Sequence, residues 1–121
     1  MPIVCIRGAI TAAENTKTEI LENTTLLLHE MLERNEISAK SIISVFFTAT
    51  KDLDAAYPAV AARGLGITEA GLINMQEMHV EGSLQKCIRV LMHVEGSTQT
   101  GVKHVYLKGA TVLRPDLNEV N

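Results

Sequence analysis

Two arginines lie inside runs of aliphatic residues. Arg7 interrupts the stretch VCIRGA, and Arg89 interrupts CIRVLMHV. A guanidinium in a run that is otherwise suited to burial must pair with acceptors, because an unpaired buried charge has a large desolvation cost. Bidentate recognition of carboxylates is the chemistry that arginine performs best, so the pair predicts an anion-binding site. The alternative is that each arginine pairs with an internal Asp or Glu.

Glu77, in the stretch NMQEM, is a third candidate for chemistry. Its carboxylate is either the counter-ion of Arg7 or Arg89 or an acceptor for a ligand hydroxyl, and both alternatives stay open at this level. Arg63, in an Ala-rich stretch, and Tyr106, in KHVYL, have ordinary explanations as a solvated helix charge and a half-buried strand tyrosine.

The hexapeptide MHVEGS occurs twice, and each copy places a His and a Glu two residues apart. On a strand, His79 with Glu81, or His93 with Glu95, would share one face within reach of one ion. No cluster of Asp, His or Cys completes a ligand set, and Gly-Ser is common turn composition. We therefore expect two strand-to-turn junctions and no metal site.

The elements that must position these side chains follow from hydrophobic periodicity. TKTE at Thr16–Glu19 matches a capping box, in which Glu19 reaches back to the backbone before the helix. The predicted order is β-α-β-α-β-β-β, an α/β (α+β) domain with a mixed sheet. The elements are a strand at 2–10, a helix from Thr16 to near Asn35, a strand at 42–49 buried on both faces, a helix from Pro58 to Gly64 or Gly66, and strands at 72–80, 87–94 and 103–107.

Two helices can cover one face of such a sheet but hardly both, so we expect the remaining apolar surface to meet another subunit in a symmetric homo-oligomer. The 121 residues fit a single domain, 1–121, with a loosely held polar tail from about residue 114.

The composition argues against several classes of protein. The net charge of −3 and the 21% of charged residues argue against a nucleic-acid-binding surface. Cys5 and Cys87 have no CxxC partner, which favours a reduced, cytoplasmic setting over disulfides or zinc. No signal peptide and no run of the roughly 20 apolar residues that a membrane span needs are expected.

Taken in order, these residues resemble the AroH-type monofunctional chorismate mutases. The segments that carry the resemblance span most of the chain: IRGA at 6–9, TATKDLDAAYPAVAAR at 48–63, MQEM at 75–78, SLQKCIRV at 83–90, KHVYL at 103–107 and LRPDL at 113–117. The resemblance implies a homotrimer, packed as a pseudo-α/β-barrel, with an active site in each subunit interface. It also implies the isomerisation of chorismate to prephenate, on the shikimate route to phenylalanine and tyrosine, without cofactor or metal.

The resemblance assigns roles to the candidates. Arg89 is the cation beside the breaking ether oxygen, and Glu77 accepts a hydrogen bond from the ring hydroxyl. Arg7 and Tyr106 hold a substrate carboxylate. The remaining substrate-binding residues it implies are Tyr57, Ala59 and Arg63 from the neighbouring subunit, Ile73, Asn74, Met75 and Gln76 in the segment before Glu77, and Leu113 and Arg114 in a tail that closes over the ligand.

Two positions depart from the family pattern. Asn74 stands where many relatives have Cys, Ser or Thr, and Val60 stands where some have Lys. Two other functions are alternatives to the isomerase: a non-catalytic trimeric module that binds a small carboxylate metabolite at its interfaces, and a deaminase of small imines, which rests on fold-level analogy alone.

Overall fold

The computed structural model describes residues 2–96 and 99–114, and the predicted tail beyond Arg114 lies outside them. The elements follow the predicted order: β1 (Ile3–Thr11), α1 (Lys17–Arg34), β2 (Ile42–Ala49), α2 (Ala59–Gly64), β3 (Gly71–Gln76), β4 (Cys87–Glu95) and β5 (Val105–Leu107). Short 3₁₀ helices occupy Ala39–Ser41, Gln99–Gly101 and Lys108–Leu113. No helix in the described part of the chain is long and apolar enough to cross a membrane.

The five strands form one mixed sheet in the order β3-β2-β4-β1-β5. The central strand β4 runs antiparallel to both β1 and β2, whereas β3 runs parallel to β2 and β5 runs parallel to β1. Parallel neighbours need a crossover connection, and α2 lies in the one between β2 and β3. The prediction of a mixed sheet with two helices is confirmed.

Helix α1 begins with part of the predicted capping box. The Thr16 hydroxyl accepts a hydrogen bond from the Glu19 backbone N–H at 3.1 Å. The Glu19 carboxylate accepts from the backbone N–H of Ala13 at 2.8 Å, so it reaches further back along the chain than a capping box requires. Both bonds satisfy backbone N–H groups, one in the first turn of the helix and one in the segment before it, that would otherwise be unpaired.

One face of the sheet, here called the helix face, packs against α1 and α2. Ile6, Phe47 and Met92 project from it into a core completed by Leu27 and Met31 of α1, and all five are at most 1% exposed. Burying each such side chain contributes roughly 1.5–3 kcal/mol, so this layer supplies much of the driving force for folding.

The opposite face, here called the open face, carries Arg7, Phe46, Ile73 and Arg89, and within the described residues no α-helix covers it. Phe46 is 39% exposed and Ile73 is 49% exposed. The expectation that β2 is buried on both faces is therefore wrong for the single chain, because only the helix face has a covering layer.

Strand β3 is shorter than predicted. The backbone N–H of Glu77 donates to Ala49 O at 2.9 Å, which is the last rung shared with β2. Beyond Ala49 the chain of β2 turns away, so residues 78–80 lack a strand partner and lead into a turn at Gly82, whose φ is +85°. Glu77 thus lies just past the strand end, where its side chain can leave the sheet.

Candidate active site

A hollow of about 590 Å³ on the open face brings together the residues first singled out for their chemistry. Its walls come from β1, β2, β4, β5, the end of β3 and the last 3₁₀ helix. The predicted site residues that line it are Arg7, Met75, Glu77, Arg89, Tyr106, Leu113 and Arg114.

Strand register explains how these distant residues meet. Ala9 pairs with Arg89 across β1 and β4 and with Tyr106 across β1 and β5, so the arginine and the tyrosine flank one small side chain. Paired residues share a face of the sheet, and residues two apart along a strand share it as well. Arg7, two residues before Ala9, is therefore brought to the same face as Arg89 and Tyr106.

The centre of the hollow is a chain of three polar side chains. The Thr48 hydroxyl donates to Glu77 Oε1 at 2.7 Å, and Arg89 Nε lies 3.5 Å from the same oxygen. The 3.5 Å contact is longer than the roughly 2.7–2.9 Å of a charge-assisted hydrogen bond, and 48% of the Arg89 side chain is exposed. The guanidinium is thus only loosely paired with Glu77 and remains accessible from the hollow.

Among the charged residues of the lining, positive charge dominates. Arg7 and Arg114 line the same hollow as Arg89, while Glu77 is the one carboxylate among its lining residues in the described chain. His104 lies behind Arg7, and its Nδ1 accepts a hydrogen bond from the Arg7 backbone N–H at 2.9 Å. Burial, and then the positive charges of Arg7 and Arg114, lower the pKa of His104. This arrangement favours an anionic ligand and a neutral imidazole.

Cys87 lies beside the site, in a small buried cluster with Ala9, Tyr106 and Ala110. Burial raises the pKa of its thiol, although Arg89 opposes that shift. A protonated thiol is a poor nucleophile at neutral pH. Across the described residues, no group of three His, Cys, Asp or Glu side chains is arranged to hold a metal ion. The arrangement can bind an anion and stabilise developing negative charge.

The other predicted site residues lie elsewhere in the single chain. Tyr57, Asn74 and Gln76 line a second hollow of about 580 Å³ that also reaches Met75. Asn74 projects from the helix face, where its side-chain oxygen accepts from the Ala59 backbone N–H at 2.9 Å. Ala59 itself is 1% exposed. Arg63 is exposed at the end of α2, and Ile73 is exposed on the open face.

Five residues of the hollow are not among the predicted site residues: Gly8, Phe46, Thr48, Val90 and Leu91. Phe46 and Thr48 line it from β2. The period-two alternation of β2 places both side chains on one face of the sheet. The sequence does not show which strand pairs with β2, so it does not show that the same face carries Arg89. Thr48 pairs with Arg89 across β2 and β4, and this pairing is what identifies Thr48 as a residue of the hollow.

Comparison with known proteins decides the family. The family model for chorismate mutase type I matches residues 3–117 of this chain. The chain belongs to the chorismate mutase type I family. Relatives named chorismate mutase AroH are 43% identical over 120 residues in Bacillus subtilis (strain 168), covering 98% of this chain and 94% of the relative, and 47% identical over 114 residues in Thermus thermophilus, covering 93% of each.

A solved structure of the chorismate mutase from Clostridium thermocellum Cth-682 superposes on this chain with a TM-score of 0.87 at 53% identity, over 89% of this chain and 97% of the other. The family expected from the resemblance is thus confirmed, and so is the mixed α/β fold class expected from the periodicity. Chorismate mutases are intramolecular isomerases, so membership supports the isomerase over the deaminase of small imines.

Proposed function

We propose that this chain converts chorismate to prephenate, in aromatic amino-acid biosynthesis, in the hollow of the open face. The observation that carries the proposal is the accessible Arg89 guanidinium, loosely paired with Glu77 in a hollow lined by further arginines. An anionic substrate fits this lining, and family membership supplies the reaction.

The reaction explains the kind of residues present. In the Claisen rearrangement one ether C–O bond breaks and one C–C bond forms within the same molecule, and no group is transferred to or from the protein. A nucleophile is therefore not required. The enzyme accelerates the step by holding a flexible substrate in a compact chair-like geometry and by stabilising charge as it develops.

Arg89 acts at the breaking bond. The ether oxygen gains negative charge on the way to the transition state, so a fixed guanidinium beside it stabilises that state more than the bound substrate. Its partial exposure of 48% allows an approach from the hollow. Glu77, beside Arg89 in the same hollow, accepts a hydrogen bond from the ring hydroxyl of chorismate.

The carboxylates of chorismate are held by the surrounding cations. Arg7 and Tyr106 bind one of them, and Arg114 with Leu113 closes over the ligand from the end of the last 3₁₀ helix. Tyr106 is 8% exposed and contributes its phenol hydroxyl as the hydrogen-bond donor to that carboxylate.

The complete site forms between subunits of a homotrimer with pseudo-α/β-barrel packing. The open face supports this, because it exposes Phe46 and Ile73 in the single chain. Tyr57 and Arg63, together with the backbone at Ala59, would then reach the hollow of a neighbouring chain, whereas Met75 lines the hollow of its own chain. Their separation from Arg7 and Arg89 within one chain fits that arrangement.

A continuous assay of chorismate depletion by ultraviolet absorbance, combined with a size-exclusion mass measurement, tests both parts. We expect prephenate formation by a particle of three chains. Folded protein that leaves chorismate unchanged would refute the activity, and tight binding of chorismate without prephenate would favour the non-catalytic binding module. A monomer that turns over chorismate would refute the interfacial site alone.

We also propose that the enzyme works in the cytoplasm. The two free cysteines, Cys5 and Cys87, suit a reducing compartment. Fractionation of the source cells, with chorismate mutase activity and an antibody signal followed in each fraction, tests this location.

A further inference from the structure

Thr48 connects the two strands that carry the central charges of the site. On β2 it pairs with Met75 of β3 on one side and with Arg89 of β4 on the other. Its side chain points from the open face into the hollow, and its hydroxyl donates to Glu77 Oε1 at 2.7 Å. Thr48 is thus placed to act on Glu77 and Arg89 together.

The Glu77 carboxylate needs such a restraint. Glu77 lies beyond the end of β3, and its backbone N–H to Ala49 O is its last bond to the sheet. Thr48 donates a hydrogen bond to this carboxylate, and Arg89 forms an ion pair with it. Without the hydroxyl, attraction would draw the carboxylate into close pairing with the guanidinium.

Close pairing would remove both groups from the reaction. A bidentate Arg–carboxylate pair uses both carboxylate oxygens and neutralises the cation, whereas the observed contact is a single 3.5 Å approach to the oxygen that Thr48 already holds. Threonine is suited to this task because its branched Cβ restricts χ1 and so fixes the direction of the hydroxyl.

We propose that Thr48 is a positioning residue that anchors one oxygen of Glu77, keeping the other oxygen available for the substrate hydroxyl and the Arg89 guanidinium available for the ether oxygen. This inference rests on the proposed function. Thr48 acts through Glu77, so its effect must disappear when the Glu77 carboxylate is absent.

The test compares kcat and KM for chorismate in the full-length wild type, Thr48→Val and Thr48→Ser. Val has the shape of Thr without the hydroxyl, and we expect kcat/KM to fall roughly ten- to hundredfold, mostly in kcat, as for loss of a hydrogen bond to a charged group. Ser keeps the hydroxyl and should retain most of the activity. Thr18→Val, on the exposed first turn of α1, makes the same chemical change away from the hollow.

A double-mutant cycle separates positioning from general structural damage. Thr48→Val added to Glu77→Ala should lower kcat/KM by less than threefold beyond Glu77→Ala alone, because Ala leaves the Thr48 hydroxyl without its acceptor and coupled residues are non-additive. If Thr48→Val does not fold, Thr48→Ala takes its place in the cycle. Equal activity in wild type and Thr48→Val, equal losses in Val and Ser, or additive losses in the cycle would each overturn the inference. Wild-type protein inactive on chorismate would instead refute the proposed function, and the inference with it.

Discussion

The backbone N–H of Arg7 donates to the imidazole Nδ1 of His104 at 2.9 Å, so a side chain takes the place of a strand partner. Backbone pairing of β1 with β5 begins only at Gly8 and Val105. One step further along the edge, the side-chain amide of Gln99 bonds both the N–H and the C=O of Cys5 at 2.8 Å. Side chains thus complete the edge of β1 where β5 is too short, and they fix the backbone that carries Arg7.

The Arg7–His104 bond predicts a pH-dependent stability. The pKa of His104 is lowered by burial and by Arg7 and Arg114, so the unfolded chain takes up a proton at higher pH than the folded chain. The contribution of His104 to the free energy of unfolding is therefore fully present above the ordinary histidine pKa of about 6.5. It is lost as the pH falls from there through the pKa of His104 in the folded state. Protonation also turns Nδ1 from an acceptor into a donor facing another donor.

His104→Asn isolates this effect, since its side-chain oxygen can accept the Arg7 N–H and does not titrate. We expect the free energy of unfolding, measured in urea between pH 7.5 and pH 5.5, to fall more steeply in the wild type than in the variant. The other histidines, His29, His79 and His93, are common to both proteins and cancel in the difference. Parallel pH profiles would contradict the assignment.

Arg89→Lys should damage turnover much more than binding. Lysine retains the charge but lacks the planar fork, and it cannot keep its charge in the same place beside the ether oxygen. We expect kcat to fall by roughly a hundredfold or more, with a smaller change in KM, in steady-state chorismate kinetics. Arg34→Lys is the control, because Arg34 forms only an i,i+4 ion pair with Glu30 on α1. Unchanged kcat in Arg89→Lys would remove Arg89 from its proposed role.

Gly8→Ala should destabilise the fold. A Cβ at Gly8 would lie 2.6 Å from Met31 Sδ, 3.1 Å from Leu27 Cδ1 and 3.2 Å from the backbone oxygen of Val105. Overpacking of this kind costs about 1–3 kcal/mol, which a urea titration resolves. Gly71→Ala is the matched control on β3, where a Cβ meets nothing within 4 Å. Loss of stability of equal size in both variants would show that the contacts at Gly8 are not the cause.

Asn74→Ala should weaken the start of α2. Pro58 provides no side-chain cap for this helix, and the Asn74 side chain accepts from the Ala59 N–H in its place. Its removal leaves that N–H unpaired, at a cost of about 1–2 kcal/mol in the free energy of unfolding. Asn74→Asp keeps an acceptor and should stay close to the wild type. If Ala and Asp are equally destabilised, the bond to Ala59 is not what Asn74 contributes.

Local pattern predicted the order and type of the elements, and it singled out Arg7, Glu77, Arg89 and Tyr106. The alternation in CIRVLMHV predicts Cys87, Arg89, Leu91 and His93 on one face, and the register of β4 with its neighbours agrees. The extent of β3 was overestimated, because its end depends on where β2 turns away and not on the apolar character of residues 78–80. In the second MHVEGS copy, His93 lies on β4 and contacts β2. Its Nδ1 is hydrogen-bonded with the Ser44 hydroxyl, and its ring packs against the Phe46 ring.

The sequence by itself determined which chemical groups are present: two strands that each carry one guanidinium, a carboxylate after a strand, and a set of motifs that identifies the family. Periods of two and 3.6 residues are properties of a few neighbouring residues, so they can be read without the fold. Only the tertiary structure decided that Ala9 lies between Arg89 and Tyr106, that Thr48 holds Glu77, and that Asn74 faces a helix. Those relations depend on strand register across tens of residues of chain, and a shift of one residue would send every side chain to the opposite face.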